Sequence, residues 1–541
     1  MKNLLLNIVT AVTLMLITAF SFAQAPNLGS TAGFVLFSSD GAVTKTGTGF
    51  AHLTGHVGTN NGSNTNFGNV NGVMNDNNGA SALCATDLLI AYTQLNNAIP
   101  AFFPAPLLGN GDTLIAGVYS ISGSSTLNNN LYLDAKGNAN AVFVFQMQGP
   151  FSSSAASSVI LINGALACNV FWKVEGLVSL AAGTAMKGTI IANNAAIEMN
   201  TGVSLEGRAL STTGAVSVDA VLAYLPTGCG SPVLTGPAAP NLKTTICYAL
   251  FSGDGPVTNS GITTVKGDVG TNVGLTTGYS ALDVTGEIHP IPDVSTAECA
   301  ADLGIVYTYL ENLTYDIELL YPAQFGNNLV LTPHTYLMNG ATEFTDTLYL
   351  NAEGNADAVF VLKLKGALST SSYSKVILTN GTQAKNVYWM VDGAVEINDY
   401  SEFKGTIVCN NGAISLKTGV NLEGRALTTS GALQTEAITV TMTDGCLENP
   451  PVGINNFEAN SKDATFYPNP FRNTLVIKSE NTTAENSSIL NIYDAQGKIV
   501  MNKIITEKTT TLATNLPSGF YFYQLVSKDN SVQSGKLISQ Q

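Results

Sequence analysis

Charged residues are scarce in this chain. Only 11% of its 541 residues are Asp, Glu, Lys or Arg, against about a quarter in an ordinary globular protein. Between Gln24 and Gly236 there are just five basic residues, and the net charge of the whole chain is −15. Because nucleic-acid binding needs clustered Lys and Arg, the composition excludes a nucleic-acid partner.

Signatures of catalysis and of metal binding are also missing. The sequence contains no phosphate-binding loop, no HExxH or GxSxG motif and no calcium-binding repeat. Histidine occurs only four times, as His52, His56, His289 and His334. The sequence therefore predicts no catalytic residue, no metal ion and no cofactor.

Long apolar runs are absent after the N-terminus. Lys2 precedes the apolar segment Leu4–Phe22, and Ser21-Phe22-Ala23 is typical of a signal-peptidase site before Gln24. The alternative is a membrane anchor, but no basic flank follows. We predict a signal peptide over residues 1–23 and an exported mature chain with no integral membrane span.

What the sequence does contain is a repeat of 19 residues. In residues 178–215, Val178 aligns with Ile197 and then with Val216, and a second such block covers residues 395–432. A short fixed period, with alternating apolar positions and glycines at the corners, is typical of a solenoid built from coils of β-strand. The pattern predicts a parallel β-helix with about three short strands per turn.

A larger duplication contains these repeats. The motif LEGRAL, for example, occurs at 205–210 and again at 422–427. Segments rich in Pro, Gly and Asn separate the duplicated units, and the C-terminal segment alternates apolar and polar residues as strands do. The predicted domains are copy one at 24–230, a linker at 231–241, copy two at 242–447, a linker at 448–462 and a small β-sandwich at 463–541.

Each copy has one predicted helix, over 81–99 and 295–313. Leu88, Tyr92, Leu95 and Ile99 form a single apolar stripe in the first. Ser295 is the predicted N-cap of the second. A helix with one apolar stripe is expected to lie along the side of its β-helix.

Several motifs resemble a known family. HVGTN (56–60), the helix, NVFW (169–172) and LEGRAL follow one another as in the DUF3494 ice-binding proteins. The resemblance implies a mostly β fold in each copy, a discontinuous right-handed parallel β-helix of triangular section flanked by one α-helix, with the first coil beside the last. FYPNPFRNTLVI (466–477) is similar to the start of the type A sorting domain of the type IX secretion system.

These resemblances imply the partners and the location. The partners are the ice surface and the type IX secretion machinery, the chain is a monomer, and it is exported through the periplasm to become secreted or attached to the cell surface. The implied function is non-enzymatic adsorption to ice, with thermal hysteresis and inhibition of recrystallisation. The alternative class is a carbohydrate-binding or adhesive surface β-helix, or a polysaccharide lyase.

A four-residue pattern of small and polar residues recurs at five places in each copy. It could serve only to turn corners, but the resemblance implies an ice-binding motif of the form T-A/G-X-T/N, which Asp399–Glu402 does not fit. The candidate ice-binding residues are Thr46, Thr48, Ser122, Ser125, Ser154, Ser157, Thr184, Thr201, Ser204, Ser260, Thr263, Thr342, Thr418 and Asn421.

Ionic and covalent links between coils are also predicted. The 19-residue period places Lys187 beside Glu206 and Lys404 beside Glu423, while Glu206 and Arg208 share a strand face by alternation. Since the resemblance places the first coil next to the last, it implies the disulfides Cys84–Cys229 and Cys299–Cys446. A further pair, Cys247–Cys409, is expected with them, and Cys168 is expected to be a buried thiol.

Overall fold

The computed structural model divides the chain into two compact units. The first unit, Met1–Cys446, holds both copies, and the second is Leu447–Gln541. The predicted signal peptide lies outside the described residues except for Ala23, and so does the second predicted linker. The structure describes residues 23–443, 464–479, 487–495, 497–528 and 532–540.

Copy one contains one α-helix, two 3-10 turns and many short strands. The helix is α1 (Gly79–Asn97), and the 3-10 turns are Gly29–Gly33 and Ala167–Asn169. The strands are β1 (Phe34–Ser38), β2 (Val43–Thr46), β3 (His52–Thr54), β4 (His56–Thr59), β5 (Asn64–Thr65), β6 (Met74–Asp76), β7 (Leu107–Gly109), β8 (Thr113–Ile115), β9 (Gly117–Ile121), β10 (Ser125–Asn128), β11 (Asn130–Asp134), β12 (Phe143–Met147), β13 (Phe151–Ser153), β14 (Ser158–Ile162), β15 (Val170–Glu175), β16 (Val178–Leu180), β17 (Ala185–Asn193), β18 (Ile197–Met199), β19 (Ser204–Ser211), β20 (Val216–Asp219) and β21 (Leu222–Tyr224).

Copy two repeats this order. Its helix is α2 (Val294–Asn312), and its 3-10 turns are Lys243–Cys247, Pro322–Gln324 and Ala384–Asn386. The strands are β22 (Tyr248–Ser252), β23 (Val257–Ser260), β24 (Thr264–Lys266), β25 (Asp268–Thr271), β26 (Thr276–Thr277), β27 (Val284–Thr285), β28 (Ile317–Glu318), β29 (Phe325–Gly326), β30 (Leu329–Leu331), β31 (Thr335–Met338), β32 (Thr342–Thr345), β33 (Thr347–Asn351), β34 (Phe360–Leu364), β35 (Leu368–Thr370), β36 (Lys375–Thr379), β37 (Val387–Asp392), β38 (Val395–Ile397), β39 (Glu402–Asn410), β40 (Ile414–Leu416), β41 (Asn421–Thr428), β42 (Leu433–Glu436) and β43 (Thr439–Thr441).

The C-terminal unit is antiparallel. Its sheets, β44-β45-β48 and β47-β46-β49-β50, enclose one apolar core, so the predicted small β-sandwich is confirmed. The strands are β44 (Ala464–Tyr467), β45 (Thr474–Ser479), β46 (Ser488–Tyr493), β47 (Ile499–Ile505), β48 (Thr509–Ala513), β49 (Gly519–Val526) and β50 (Val532–Ser539).

Each copy is a parallel β-helix with three faces. The predicted 19-residue register is confirmed, since Val178 pairs with Ile197 and Ile197 with Val216. One sheet, β5-β2-β20-β18-β16-β13-β10-β7 in copy one and β26-β23-β42-β40-β38-β35-β32-β29 in copy two, stands alone. We call it the eight-strand face of each copy.

The other two faces share one sheet because long strands such as β17 and β19 run round a corner. That corner lies at Gly188 and Gly207, which are paired and have positive φ. The covered face of copy one, beneath α1, runs β9-β12-β15, the second halves of β17 and β19, then β1-β4-β6. The ion-pair face runs β8-β11-β14, the first halves of β17 and β19, then β21-β3.

The N-terminal coil stacks beyond the last coil, as the resemblance implied. β1 pairs with β19 and β2 pairs with β20, although more than 170 residues separate the partners, such as Leu36 and Ala209. The winding of the chain is therefore discontinuous: the coil made first is placed at the far end of the stack.

Aromatic rings fill the interior of copy one. The Trp172 ring stacks between Phe145 and Phe151 at centroid distances of 4.1 and 5.6 Å, and its Nε1 donates to the Lys187 carbonyl at 2.8 Å. Stacked rings add contact energy beyond their apolar burial. Trp389 makes the same hydrogen bond to Lys404 in copy two.

Both helices lie along the covered face. Leu88 and Leu95 of α1 are buried there, whereas Ile99 is 75% exposed because the helix ends at Asn97. The N-cap of α2 is Asp293 rather than Ser295, since the Asp293 carboxylate accepts the Thr296 amide.

Polar links between coils follow the prediction only in part. The ion pairs Lys187–Glu206 (2.7 Å) and Lys404–Glu423 (2.9 Å) are confirmed. Arg208, however, does not lie beside Glu206, because the corner at Gly207 breaks the alternation. Its buried guanidinium donates to the Ala32 carbonyl at 2.7 Å, and burial lowers its pKa to about 10.

The predicted disulfides are wrong. Cys229 is bonded to Cys168, with Cα atoms 6.1 Å apart, because the chain after β21 runs back to the 3-10 turn before β15. Three of the four remaining predicted partners among the described residues, Cys84, Cys299 and Cys409, are buried free thiols. Cys247 is disulfide-bonded, but its expected partner Cys409 is free, and Cys446 lies outside the described residues.

Removing the observed disulfide should destabilise copy one. It closes a loop of 61 residues, for which chain entropy gives about 4 kcal/mol of stabilisation. We expect Cys168→Ser to lower the melting temperature of the first unit, measured by calorimetry of the full chain. Cys84→Ser, which breaks no bond, is the control. Equal melting curves for wild type and Cys168→Ser would contradict the expectation.

The two copies meet end to end. Asn69 donates to the Tyr321 carbonyl and accepts the Tyr321 amide, both at 2.9 Å. Asn71 donates to the Thr332 hydroxyl at 3.0 Å and accepts the Tyr336 hydroxyl at 2.8 Å. All these residues except Tyr321 are buried. We call this set the junction.

Acid should weaken the junction. Burial and the nearby His334 lower the pKa of His56, and burial lowers the pKa of His334. The folded state therefore binds fewer protons than the unfolded chain. Stability is fully present above about pH 6.5 and is lost as pH falls through the folded-state pKa values.

We therefore expect the melting temperature of the full chain to fall between pH 7.5 and pH 5. The variant carrying His56→Gln and His334→Gln should show a smaller fall. Parallel melting-temperature profiles for the two proteins would rule out these histidines as the cause.

Candidate functional site

The three faces of copy one differ in what they offer to solvent. The covered face lies under α1, where Val144, Phe171 and Ile191 pack against the helix. The ion-pair face carries the Lys187–Glu206 pair together with large side chains such as Tyr132 and Tyr224. The eight-strand face is the one that is both open and lined by small residues.

Hydroxyl groups occupy the central column of the eight-strand face in copy one. Strand register stacks its outward side chains along the axis, and almost all are Ser or Thr, half-buried between neighbouring coils. Glu198 is the one charge among them. From one end to the other they are Leu107, Thr126, Ser152, Ser179, Glu198, Ser217, Thr44 and Thr65.

Hydrogen bonds between coils fix some of these hydroxyls. Thr44 and Thr65 are 2.9 Å apart through their Oγ1 atoms, and Thr126 Oγ1 lies 3.1 Å from Ser152 Oγ. Because parallel strands are spaced about 4.8 Å apart, the column repeats at that interval. The outcome is a regular row of hydroxyl and methyl groups.

A second column flanks the first, at the residue just before each strand. Backbone hydrogen bonds from coil to coil align these residues, and most are alanine. Leu177 is the large apolar member in copy one, 39% exposed. The aligned residues are Pro150, Leu177, Ala196, Ala215 and Ala42 in copy one, and Ala367, Ala394, Ala413, Ala432 and Pro256 in copy two.

The eight-strand face of copy two is more polar in its centre. Three of its seven central residues are not Ser or Thr, and two of these three, Glu343 and Glu396, are carboxylates. In order, the residues are Glu343, Ser369, Glu396, Ser415, Gln434, Thr258 and Thr277. Among the described residues of both copies, no acidic, His or Cys cluster is arranged to hold a metal ion.

Most of the predicted four-residue patterns lie at one corner. Eight of the ten patterns lie where the chain passes from the eight-strand face to the ion-pair face. The patterns at 122–125 and 339–342 lie where the chain passes from the covered face to the eight-strand face. In copy two, the corner between the eight-strand face and the ion-pair face carries Tyr373 and Tyr400. Their side chains are 65% and 51% exposed, and their rings stack with centroids 5.2 Å apart.

Five of the candidate residues point into the protein and are withdrawn. Ser157 and Thr184 each follow a left-handed corner residue, Ala156 and Gly183 respectively, and turn into the protein. Their hydroxyls donate to the Leu127 carbonyl and the Ala181 carbonyl. The buried candidates are Ser125, Ser157, Thr184, Thr263 and Thr342. The exposed or half-buried candidates are Thr46, Thr48, Ser122, Ser154, Thr201, Ser204, Ser260, Thr418 and Asn421.

The four-residue pattern lies at the corners, so it did not predict the central column. The signal was present in the strands themselves: Ser179 and Ser217 are each flanked by two buried apolar residues. Glu198 occupies the same place in β18. Alternation alone assigns these three side chains to the outer surface.

Comparison with known proteins agrees with this architecture. Residues 37–222 and 251–441 match the Ice-binding-like family, and residues 465–540 match the Secretion system C-terminal sorting domain family. A solved ice-binding protein from an Antarctic Flavobacteriaceae bacterium aligns with 78% of this chain and 100% of its own, with 60% identity and a TM-score of 0.77.

Two further relatives each match about one copy. An ice-binding protein of Nostoc sp. (strain HG1) is 34% identical over 201 residues, which are 36% of this chain and 73% of that protein. An ice-binding protein of Colwellia sp. is 28% identical over 212 residues, 37% of this chain and 82% of that protein. No helix among the described residues is long and apolar enough to cross a membrane.

Proposed function

Because the chain belongs to the Ice-binding-like family, we propose that it adsorbs to ice through the eight-strand faces of its two copies. The chain is a secreted or cell-surface ice-binding protein and not an enzyme, and its sorting domain directs it to the type IX secretion machinery. The carbohydrate-binding, adhesive and lyase alternatives are not supported by its relatives.

The observation that supports the choice of face is its central column in copy one. Hydroxyl and methyl groups stand at regular intervals on strands that pack on the core, and Glu198 is the only charged residue of this column. Eight strands about 4.8 Å apart cover about 34 Å. Water molecules beside such a row find hydrogen-bond partners at fixed spacing, which favours an ordered layer.

The ion-pair face is a poorer surface for ice. Lys187 and Glu206 are both part-exposed ions there. The two ions are paired, but their exposed atoms stay hydrated, and removing that water still costs free energy. Tyr132 and Tyr224 add large side chains that would hold a flat crystal plane away from the backbone.

The nine exposed or half-buried corner residues remain part of the proposed surface. Thr46 and Ser154 are the nearest to it, since each lies two residues beyond a central-column residue, Thr44 and Ser152 respectively. Binding as a monomer also remains a proposal.

Ice-affinity capture of the purified full chain tests the proposed function. The protein should be enriched in a slowly grown ice phase, should shape ice crystals and should show thermal hysteresis. A pull-down on insoluble polysaccharides is the control. Retention on polysaccharide with exclusion from ice would overturn the proposal.

A further inference from the structure

The end of copy one that faces copy two is its N-terminal coil. That coil stacks beyond the last one, so β3 forms the outer edge of the ion-pair face. β3 lies next to β30, the first strand of the corresponding face of copy two. The ion-pair faces of the two copies therefore continue into one another.

Two other contacts fix the rotation of one copy about the axis of the other. Lys45 and Gly47, at the outgoing corner of the eight-strand face in copy one, line the same cleft as Gly326 and Asn327, at the same corner of copy two. On the covered faces, His56 of β4 in copy one lies close to His334 of copy two, and the charge of His334 helps to lower the pKa of His56. Each of the three faces of copy one therefore lies next to the corresponding face of copy two.

Two buried asparagines lock this arrangement. Asn71, 2% exposed, links Thr332 and Tyr336 of copy two through both ends of its amide. Asn69 forms a reciprocal pair with the Tyr321 backbone. Breaking a buried hydrogen bond leaves its partner unsatisfied, so small rotations at the junction are opposed.

We propose that Asn69 and Asn71 are positioning residues that hold the two eight-strand faces in one plane, so that a single crystal surface contacts both copies at once. The inference rests on the proposed function of those faces. A rigid link gives the second face a high effective concentration at the surface once the first has bound. A flexible link would lose part of that gain to ordering.

The first measurement concerns geometry and uses the full chain. Spin labels on cysteines introduced at Thr113 and Thr439, exposed positions near opposite ends of the unit, report the distance across both copies. The three native free cysteines of the described residues are buried. We expect a narrow distance distribution that broadens in the double variant Asn69→Ala/Asn71→Ala.

The control is Thr285→Ala. Thr285 pairs with Lys266 in β24, as Asn71 pairs with Thr54 of β3, but it lies at the end of copy two opposite the junction. The Thr285→Ala variant should keep the narrow spin-label distance distribution of the wild type. An equally narrow distribution in the asparagine variant would overturn the role of the junction.

The second measurement is thermal hysteresis of the full chain. Ser179→Tyr and Ser415→Tyr each disable one face and give the two single-face values. The asparagine variant should fall to the larger of these values, with its circular dichroism unchanged. Wild-type hysteresis together with a broadened distribution would overturn the proposal, whereas a wild-type chain without hysteresis would refute the proposed function itself. Tyr336→Phe, which removes only one hydroxyl, should show a smaller loss than the asparagine variant.

Discussion

Placing tyrosine at the centre of both eight-strand faces should abolish most of the thermal hysteresis. Ser179 and Ser415 are half-buried members of the two central columns. Each has an outward-facing residue on the coil at either side of it. A phenol ring at these places stands above the plane and displaces the ordered water on both sides. Hysteresis of the double variant Ser179→Tyr/Ser415→Tyr at several concentrations is the measurement.

The control is Thr113→Tyr. Thr113 is an exposed residue of β8 on the ion-pair face, paired with Tyr132. A tyrosine there should leave hysteresis intact. The melting temperature should move little in either variant, because outward positions tolerate larger side chains. A loss of hysteresis in Thr113→Tyr alone would show that the binding plane lies on the ion-pair face.

Removal of the C-terminal unit should abolish export and spare ice binding. The eight-strand faces and the retained corner residues all lie between Ala42 and Glu436, and residues 465–540 match the sorting-domain family. A chain ending at Pro450 should remain inside the cell when expressed in a bacterium that has the type IX system. The purified protein should keep its hysteresis.

The comparison for this experiment is the full chain in the same cells, assayed in the medium and in the cell fraction by immunoblot. A shortened chain that reaches the medium would contradict the assigned role of the C-terminal unit. Loss of hysteresis in the purified shortened chain would place part of the ice-binding surface within residues 451–541.

The regular part of the fold could be predicted from the sequence, and the irregular part could not. The 19-residue period places Val178 over Ile197 because identical coils must stack identically. Periodicity also gave the pair Lys187–Glu206. Arg208 was misplaced because the corner at Gly207 interrupts the alternation within a strand that continues on both sides of it.

The disulfide and the surface show the same limit. Cys168–Cys229 depends on the course of the chain after the last coil, where no repeat exists to guide a prediction. Five candidate hydroxyls proved to be buried. Two of them, Ser157 and Thr184, directly follow the left-handed residues Ala156 and Gly183, which turn the chain inward. Ser179 was readable from alternation, yet the family motif directed attention to the corners instead.

The displaced N-terminal coil has a consequence for folding. Leu36 finds its partner Ala209 only after nearly the whole of copy one has been made, so closing the stack requires a loop of very low probability, and such long-range contacts slow folding. Copy one therefore cannot be completed from a partial chain. Since β3 and Asn71 belong to this coil, the attachment of copy two must also wait until the stack of copy one has closed.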